Sequence, residues 1–203
     1  MIVNFGCGAN PGPRDSGYLN IDGSLTLQLA KLPVPASVFG GRADFVRSIR
    51  ENRIRYGTAG RLKFPSNSVE GFYASHVLEH LPRRQCVDLL ARVLVWLKPS
   101  GVIRVVLPDL KRHAASYVAG TTDASQFVAN THLAEDNLRW WEVAFGHSQH
   151  RWMYDAVSFA QVLARVGFRD VQEHSFGEGR LPALSHLDIP SRQAESFYIE
   201  GSK

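Results

Sequence analysis

Apolar positions in this chain fall in short bursts separated by turn-forming residues. The first, Ile2-Val3-Asn4-Phe5, reads as a strand and stops at Gly6-Cys7-Gly8. The second, Tyr18-Leu19-Asn20-Ile21, ends at Asp22. Between them, Ala9 to Gly17 holds two prolines and two glycines, a composition that rules out a regular helix. Helices are predicted over Leu25 to Leu32 and Ala43 to Asn52, the latter with Phe45, Val46 and Ile49 on one side, and a strand over Ile54 to Tyr56. Leu62 to Ser68 is turn-rich, Val69 to Ser75 alternates as a strand, and Pro82 suits the first turn of a helix over Arg83 to Leu97. Val87, Leu90, Leu94 and Leu97 give that helix an apolar stripe, and Lys98-Pro99-Ser100-Gly101 stops it.

Val102 to Leu107 (VIRVVL) is a β-branched run of the kind found inside a parallel sheet. From Lys111 to Trp152 the periodicity is helical but irregular, broken at Gly120-Thr121-Thr122, with an aromatic cluster at Trp140, Trp141 and Phe145. Ala156 to Val166 is an amphipathic helix that Asp155 should cap and Gly167 should end. Phe168 to Ser175 and Ser196 to Glu200 read as closing strands around a Gly-, Pro- and Ser-rich loop, Gly177 to Gln193. Strands alternating with helices predict an α/β fold with a mainly parallel sheet covered on both faces. There is no internal repeat.

The length, 203 residues, suits one domain with a sizeable core. No apolar run reaches the ~20 residues that span a bilayer, and the chain enters a strand without the basic and apolar segments of a signal peptide. Cys7 and Cys86 form no CxxC pair, which fits reduced thiols in a cytoplasmic protein. A formal charge of +4 with scattered arginines does not indicate a nucleic-acid partner. Homo-oligomerisation is left open.

The stretch Ile2 to Asp22 carries the first chemistry. Glycines at positions 6 and 8 let the backbone bend sharply and approach a ligand. An acid ending the next strand can accept hydrogen bonds from ribose hydroxyls, as in doubly wound nucleoside-binding sheets. A dinucleotide fold would place a helix N-terminus at the pyrophosphate. Without that helix, the segment points to a nucleoside lacking a pyrophosphate.

Six segments in order, Gly6-Cys7-Gly8, Asp22, Leu62 to Val69, Ala74 to Leu81 (ASHVLEHL), Leu97 to Val102 and Gly167-Phe168, resemble class I S-adenosylmethionine-dependent methyltransferases. The combination of GCG, LNID and HVLEHL is similar to small type 11-like bacterial methyltransferases associated with surface polysaccharide biosynthesis. The resemblance implies one domain over 1–203 and a Rossmann-like, doubly wound, seven-stranded sheet with one antiparallel strand near the C-terminus. It also implies a helical acceptor-side insertion at about 111–154, and S-adenosyl-L-methionine bound by Asn4, Gly6, Cys7, Gly8, Asp22, Leu62 and Ser75. The acceptor would be a small molecule or glycan, methylated on oxygen or nitrogen. Two departures stand out: the family usually has an acid at the position of Asn4, and Tyr56 to Gly60 lacks the acid that commonly lies beside the adenine.

Methyl transfer from a sulfonium needs a positioned acceptor, excluded water and, for oxygen or nitrogen, a base. His76, Glu79 and His80 follow the fourth strand, with His76 the leading base and Glu79 orienting it. At helical spacing His76 and His80 would share a face. His76 to His80 also fits the HxxEH spacing of zinc peptidases, but those need both histidines inside a long helix, so no metal is expected. The bland alternative is that these side chains hold a loop-to-helix junction. A second cluster, Gly146 to Asp155, offers His150 and Tyr154 to an acceptor pocket walled by Trp140 or Trp141. Packed aromatics between helices are its structural counterpart. Cys7 reads as a packing residue. The rival readings from other classes are a catalytically silent cofactor-binding partner protein and a nicotinamide-dependent oxidoreductase.

Overall fold

The computed structural model describes residues 1–8, 10–13, 16–30, 32–33, 35–51, 54–133 and 149–203. Its strands are β1 (Ile2–Phe5), β2 (Tyr18–Asp22), β3 (Arg55–Tyr56), β4 (Val69–Ser75), β5 (Leu97–Pro108), β6 (Arg169–His174) and β7 (Ser196–Ser202). They form one sheet in the order β3-β2-β1-β4-β5-β7-β6. The five strands from β3 to β5 are parallel, and β7 runs antiparallel to both β5 and β6. This is the expected Rossmann-like arrangement. The strand order reverses at β1 and β4, where a crevice opens at the carboxyl ends.

The helices are α1 (Leu25–Ala30), α2 (Ala43–Glu51), α3 (Arg83–Trp96), α4 (Leu110–Val118), α5 (Ala124–Thr131), α6 (Ala156–Val166) and α7 (Leu184–Leu187). Alternation along β5 shows how both faces are covered. Ile103, Val105 and Leu107 join Val3, Phe5 and Phe72 against Cys86, Leu89, Leu90 and Val93 of α3 and Phe159 and Leu163 of α6. Val102 and Val106 face the other way, with Ile2, Tyr73 and Tyr198, and are covered by Leu181, Leu184 and Leu187. A third cluster, with Cys7, Leu27, Val46 and Ile49, packs α1 and α2 beside the first bend.

Several local expectations are corrected. The buried stripe of α3 is Cys86, Leu89, Leu90, Val93 and Trp96, rotated from the predicted one, with Val87 and Leu94 at its margin. Pro82 is the N-cap of α3, extended at ψ 139°, and does not lie in the first turn. Lys98 to Gly101 belong to β5, which turns through a left-handed Ser100 (φ 62°) between its pairing at Leu97 and its continuous run from Val102. The loop at 177–193 contains α7 and a 3-10 turn at Pro190–Arg192. Asp155 does cap α6, sharing a capping box with Ser158, and Gly167 ends it in the left-handed region. In the anticipated insertion, α4 and α5 are separated at Gly120 to Thr122. Trp140, Trp141, Phe145, Gly146, His147 and Ser148 lie outside the described residues.

The segment 177–193 is tied across the sheet. Arg104, fully buried on β5, donates to Asp188 Oδ2 at 2.6 Å and to Glu200 Oε1 at 3.2 Å. Tyr73 Oη donates to Asp188 Oδ1 (3.0 Å), and Asn10 Nδ2 donates to the Leu187 carbonyl (2.8 Å). These bonds bring Leu187, Ile189 and Arg192 over the carboxyl ends of β1 and β4.

Candidate functional site: a cleft at the strand-order reversal

The bend after β1 hangs from the end of β2. The amides of Gly6 and Cys7 donate to the Ile21 carbonyl at 2.8 and 3.2 Å. Gly6 sits at φ 70°, and a Cβ there would lie 2.6 Å from Val77 Cγ2, so the position admits no side chain without displacing Val77. Asp22 then joins the two strand ends. Its Oδ2 accepts from the Gly8 amide at 2.9 Å and its Oδ1 from the Ser24 amide at 2.8 Å. Each oxygen keeps a lone pair for another donor.

A cleft of about 520 Å³ opens at this bridge. Gly6, Cys7, Gly8 and Asp22 line one side, Gly57, Thr58 and Ala59 another, and Asn4, Tyr73 and Ser75 also reach it. His76, Val77, His80 and Leu81 lie at one end, while Leu187, Ile189 and Arg192 come from the tied segment. Its volume is in the range of small-molecule sites, and its mixed apolar and polar lining suits a nucleoside.

Of the seven residues expected to bed a cofactor, six line this cleft: Asn4, Gly6, Cys7, Gly8, Asp22 and Ser75. Leu62 does not. It stands in the core behind Gly57, whose added Cβ would meet Leu62 Cδ2 at 2.8 Å. Asn4, where an acid is usual, has a structural partner: its amide donates to Asn20 Oδ1 (3.0 Å) and the Asn10 carbonyl (3.3 Å). Asn20 Oδ1 in turn accepts from the Gly12 amide (2.8 Å), so a paired carboxamide pins the proline-bearing loop. Cys7 is buried, and burial, followed by the nearby Asp22 carboxylate, holds its thiol protonated well above the ordinary range.

The catalytic candidates divide. His76 is not on a helix. It takes a left-handed turn (φ 50°) after β4, and only Leu78–His80 form a 3-10 turn. His76 and Glu79 nevertheless meet, with Nδ1 3.7 Å from Oε1, while His76 Nε2 is 2.8 Å from Ser196 Oγ. Burial, then the Arg192 cation, lowers the His76 pKa to about 3. The imidazole is therefore neutral at ordinary pH and weakly basic. Glu79 is 1% exposed, neither carboxylate oxygen has a hydrogen-bond partner, and burial raises its pKa to about 8.

His150 comes to Glu79 from a distant part of the chain. Its Nε2 is 3.9 Å from Glu79 Oε1, and its ring lies edge-on to His80 (4.9 Å) and tilted against His132 (5.2 Å). The register is set by backbone, since the amides of Arg151 (2.7 Å) and Trp152 (3.2 Å) both donate to the Glu79 carbonyl. Tyr154 does not reach the cleft. It is 3% exposed in the main core, edge-on to Phe159 at 5.0 Å, with its hydroxyl buried near Cys86 and without a hydrogen-bond partner. The bulky ring is held by the bridge between Tyr154 and Asp109 at the start of α4.

Sequence reasoning missed Arg104, Asp188 and Arg192. The signal for the first was a lone arginine inside VIRVVL, where a buried cation requires buried acids. Asn20 was passed over because one polar residue in a strand looks like ordinary alternation.

The family described as "Methyltransferase domain" matches residues 51–173. No curated protein matches the sequence. Among solved structures, an S-adenosylmethionine-dependent methyltransferase of Archaeoglobus fulgidus is 14% identical with a TM-score of 0.53, over 100% of this chain and 85% of that one. Phosphoethanolamine N-methyltransferase 2 of Haemonchus contortus, solved with S-adenosyl-L-methionine, is 12% identical with a TM-score of 0.54, over 100% of this chain and 48% of that one. A Bordetella parapertussis protein described as a possible exported protein is 12% identical with a TM-score of 0.54 over 100% of this chain, which spans 61% of its length. At such identities the likeness is one of fold.

Proposed function

The chain belongs to the methyltransferase domain family, enzymes of the S-adenosylmethionine-dependent class, and we propose that it methylates an oxygen or nitrogen of a small-molecule or glycan acceptor. S-adenosyl-L-methionine supplies an activated methyl group on a sulfonium when bound. The single observation carrying the reading is the Asp22 carboxylate, held 2.9 Å from the Gly8 amide at the wall of an open cleft. It is placed to accept from ribose hydroxyls, with Gly57, Thr58 and Ala59 offering an uncharged wall to an adenine. Arg192 lines the same cleft and suits a carboxylate. His76, Val77, His80 and Leu81 form the end from which an acceptor would approach.

Among the described residues, no helix follows the glycine bend before Tyr18, which weighs against a pyrophosphate and so against a nicotinamide cofactor. Cys7 and Cys86 are free and buried, in keeping with a reducing, cytoplasmic setting. No described helix is long and apolar enough to cross a membrane. The place in surface polysaccharide synthesis is supported only by the likeness of the GCG, LNID and HVLEHL segments.

The test is thermal unfolding with S-adenosylmethionine, S-adenosylhomocysteine or NAD. A ligand that binds the native state alone raises the midpoint. The first two should raise it and NAD should leave it unchanged; stabilisation by NAD alone would sink the proposal. Turnover with labelled donor across a panel of sugar and small-molecule acceptors then separates an enzyme from a silent partner protein.

A further inference from the structure

Glu79 presents an anomaly that the methyltransferase fold does not resolve. Its carboxyl group is buried at 1% exposure and neither oxygen has a hydrogen-bond partner. Leaving a polar group so placed costs on the order of 1–3 kcal/mol, and each native example asks for a missing partner. Imidazoles of His76, His80 and His150 lie close to it. Donor atoms of Glu79, His80 and His150 all lie within 4.8 Å of one another. We propose that Glu79, His80 and His150 form a binding site for one divalent first-row transition-metal ion at the acceptor end of the cleft.

The geometry is close to what such an ion requires. At bond lengths of ~2.1 Å, tetrahedral ligand atoms stand ~3.4 Å apart. Glu79 Oε1 and His150 Nε2 are 3.9 Å apart and no pair in the set exceeds 4.8 Å, so side-chain movements of roughly 0.5–1.5 Å close it. The rings are already held by neighbours. His80 Nδ1 lies 3.3 Å from the Gln149 carbonyl and His150 Nδ1 lies 3.2 Å from Met153 Sδ. A proton on His150 Nδ1 turns the lone pair to Nε2, the atom facing Glu79, the arrangement by which surrounding groups fix a ligating histidine. The protein has also spent backbone on the junction, since the Glu79 carbonyl takes the amides of Arg151 and Trp152 and so fixes residue 150 beside residue 79.

Two imidazoles and one carboxylate select zinc, cobalt, iron or manganese in the divalent state over calcium or magnesium, and leave coordination positions open. This is not the peptidase arrangement of the HxxEH spacing. His76 Nε2 is directed to Ser196 Oγ, and His150 supplies the third ligand from outside that segment.

The ion's role rests on the methyltransferase reading. His80 borders the donor cleft, so an acceptor hydroxyl could fill an open position there. Coordination would acidify the hydroxyl, whose proton passes to water. The oxygen then bonds to the methyl carbon as the carbon–sulfur bond breaks, and that electron pair stays on sulfur, leaving a neutral thioether.

Metal binding is tested apart from methyl transfer. Untagged protein, stripped with EDTA and dialysed, is titrated with Co²⁺ followed by visible absorption and with Zn²⁺ by calorimetry. One equivalent should bind, with ligand-field bands of a low-coordinate nitrogen–oxygen site. Glu79→Gln and His150→Gln should each weaken binding ~100-fold or more. His80→Gln, at a partly exposed position, serves if either fails to fold by circular dichroism. Asp22→Ala should lose the nucleoside cofactor yet keep the metal, so failure of one reading is distinguishable from failure of the other. No saturable binding, or titrations unchanged by the substitutions, would overturn the site.

Discussion

Arg104 Nη2 lies 2.6 Å from Asp188 Oδ2, with both side chains fully buried. The pair connects the interior of β5 to the segment that supplies Leu187, Ile189 and Arg192 to the cleft. Loss of Asp188 leaves the buried Arg104 with Glu200 as its remaining acid, so the cost should fall below the ~3–5 kcal/mol of a buried charge left wholly unpaired. Asp188→Ala should therefore lower the urea midpoint and also weaken S-adenosylmethionine binding, although residue 188 does not itself line the cleft. A variant that loses stability but binds with unchanged affinity would show that the segment is not needed for the ligand.

Asp22 should dominate cofactor affinity. Two hydroxyl hydrogen bonds to a carboxylate are worth about 1.5–3 kcal/mol each, so Asp22→Ala should reduce affinity ~100-fold or more. Asp22→Asn keeps one acceptor and should fall between. Calorimetry with S-adenosylhomocysteine measures both, and wild-type affinity in Asp22→Ala defeats the assignment.

The two glycines of the bend should respond differently. Gly6→Ala combines φ 70° with a 2.6 Å approach to Val77, whereas Gly8→Ala has φ 49° with open space around its Cβ. Gly8→Ala should cost only the left-handed penalty, about 1–2 kcal/mol. Gly6→Ala should cost more and perturb His76 through its neighbour Val77. Equal midpoints for the two variants would contradict this packing.

Stability of the metal-free protein should pass through a plateau with pH. Burial raises Glu79 from 4.5 to about 8, so between those values the native state holds a proton that the unfolded chain has released, and stability falls as pH rises. Burial lowers His76 from 6.5 to about 3, so there the unfolded chain holds the extra proton and stability rises with pH. From 4.5 to 6.5 the two oppose. From 6.5 to 8 only Glu79 acts, at ~1.4 kcal/mol per pH unit, or about 2 kcal/mol in all. Glu79→Gln should abolish this neutral decline in urea unfolding with EDTA present. A wild-type-minus-variant difference that stays constant from pH 6.5 to 8 is the opposing result.

The sheet was readable because its strands are punctuated or strongly apolar: IVNF ends at glycines, LNID at an acid, and VIRVVL is β-branched, although β5 begins earlier, at Leu97. The cleft was readable for the same reason, since bends and strand ends are local features. Long-range polar chemistry was not. Nothing near Arg104 in sequence announces Asp188 or Glu200, and nothing near Asn4 announces its partner Asn20 on another strand. The backbone at His76 was not legible either. Its left-handed turn breaks the helical spacing that seemed to align it with His80, although it still meets Glu79 at 3.7 Å, and a second imidazole, His150, is brought to Glu79 by backbone pairing. Tyr154 followed His150 in sequence but turns into the core, where its ring fills space beside Phe159.

The last strand has a consequence for biogenesis. β7 is synthesised after every other strand, yet it is inserted between β5 and β6 and carries Glu200, the second acid on Arg104. A ribosome that has exposed the glycine bend, Asp22 and β4 has therefore made most of the nucleoside wall without its cover. Until Ser196–Ser202 emerge, the guanidinium of Arg104 lacks one counter-charge and β6 lacks its neighbour, so binding competence should arrive late in translation and abruptly.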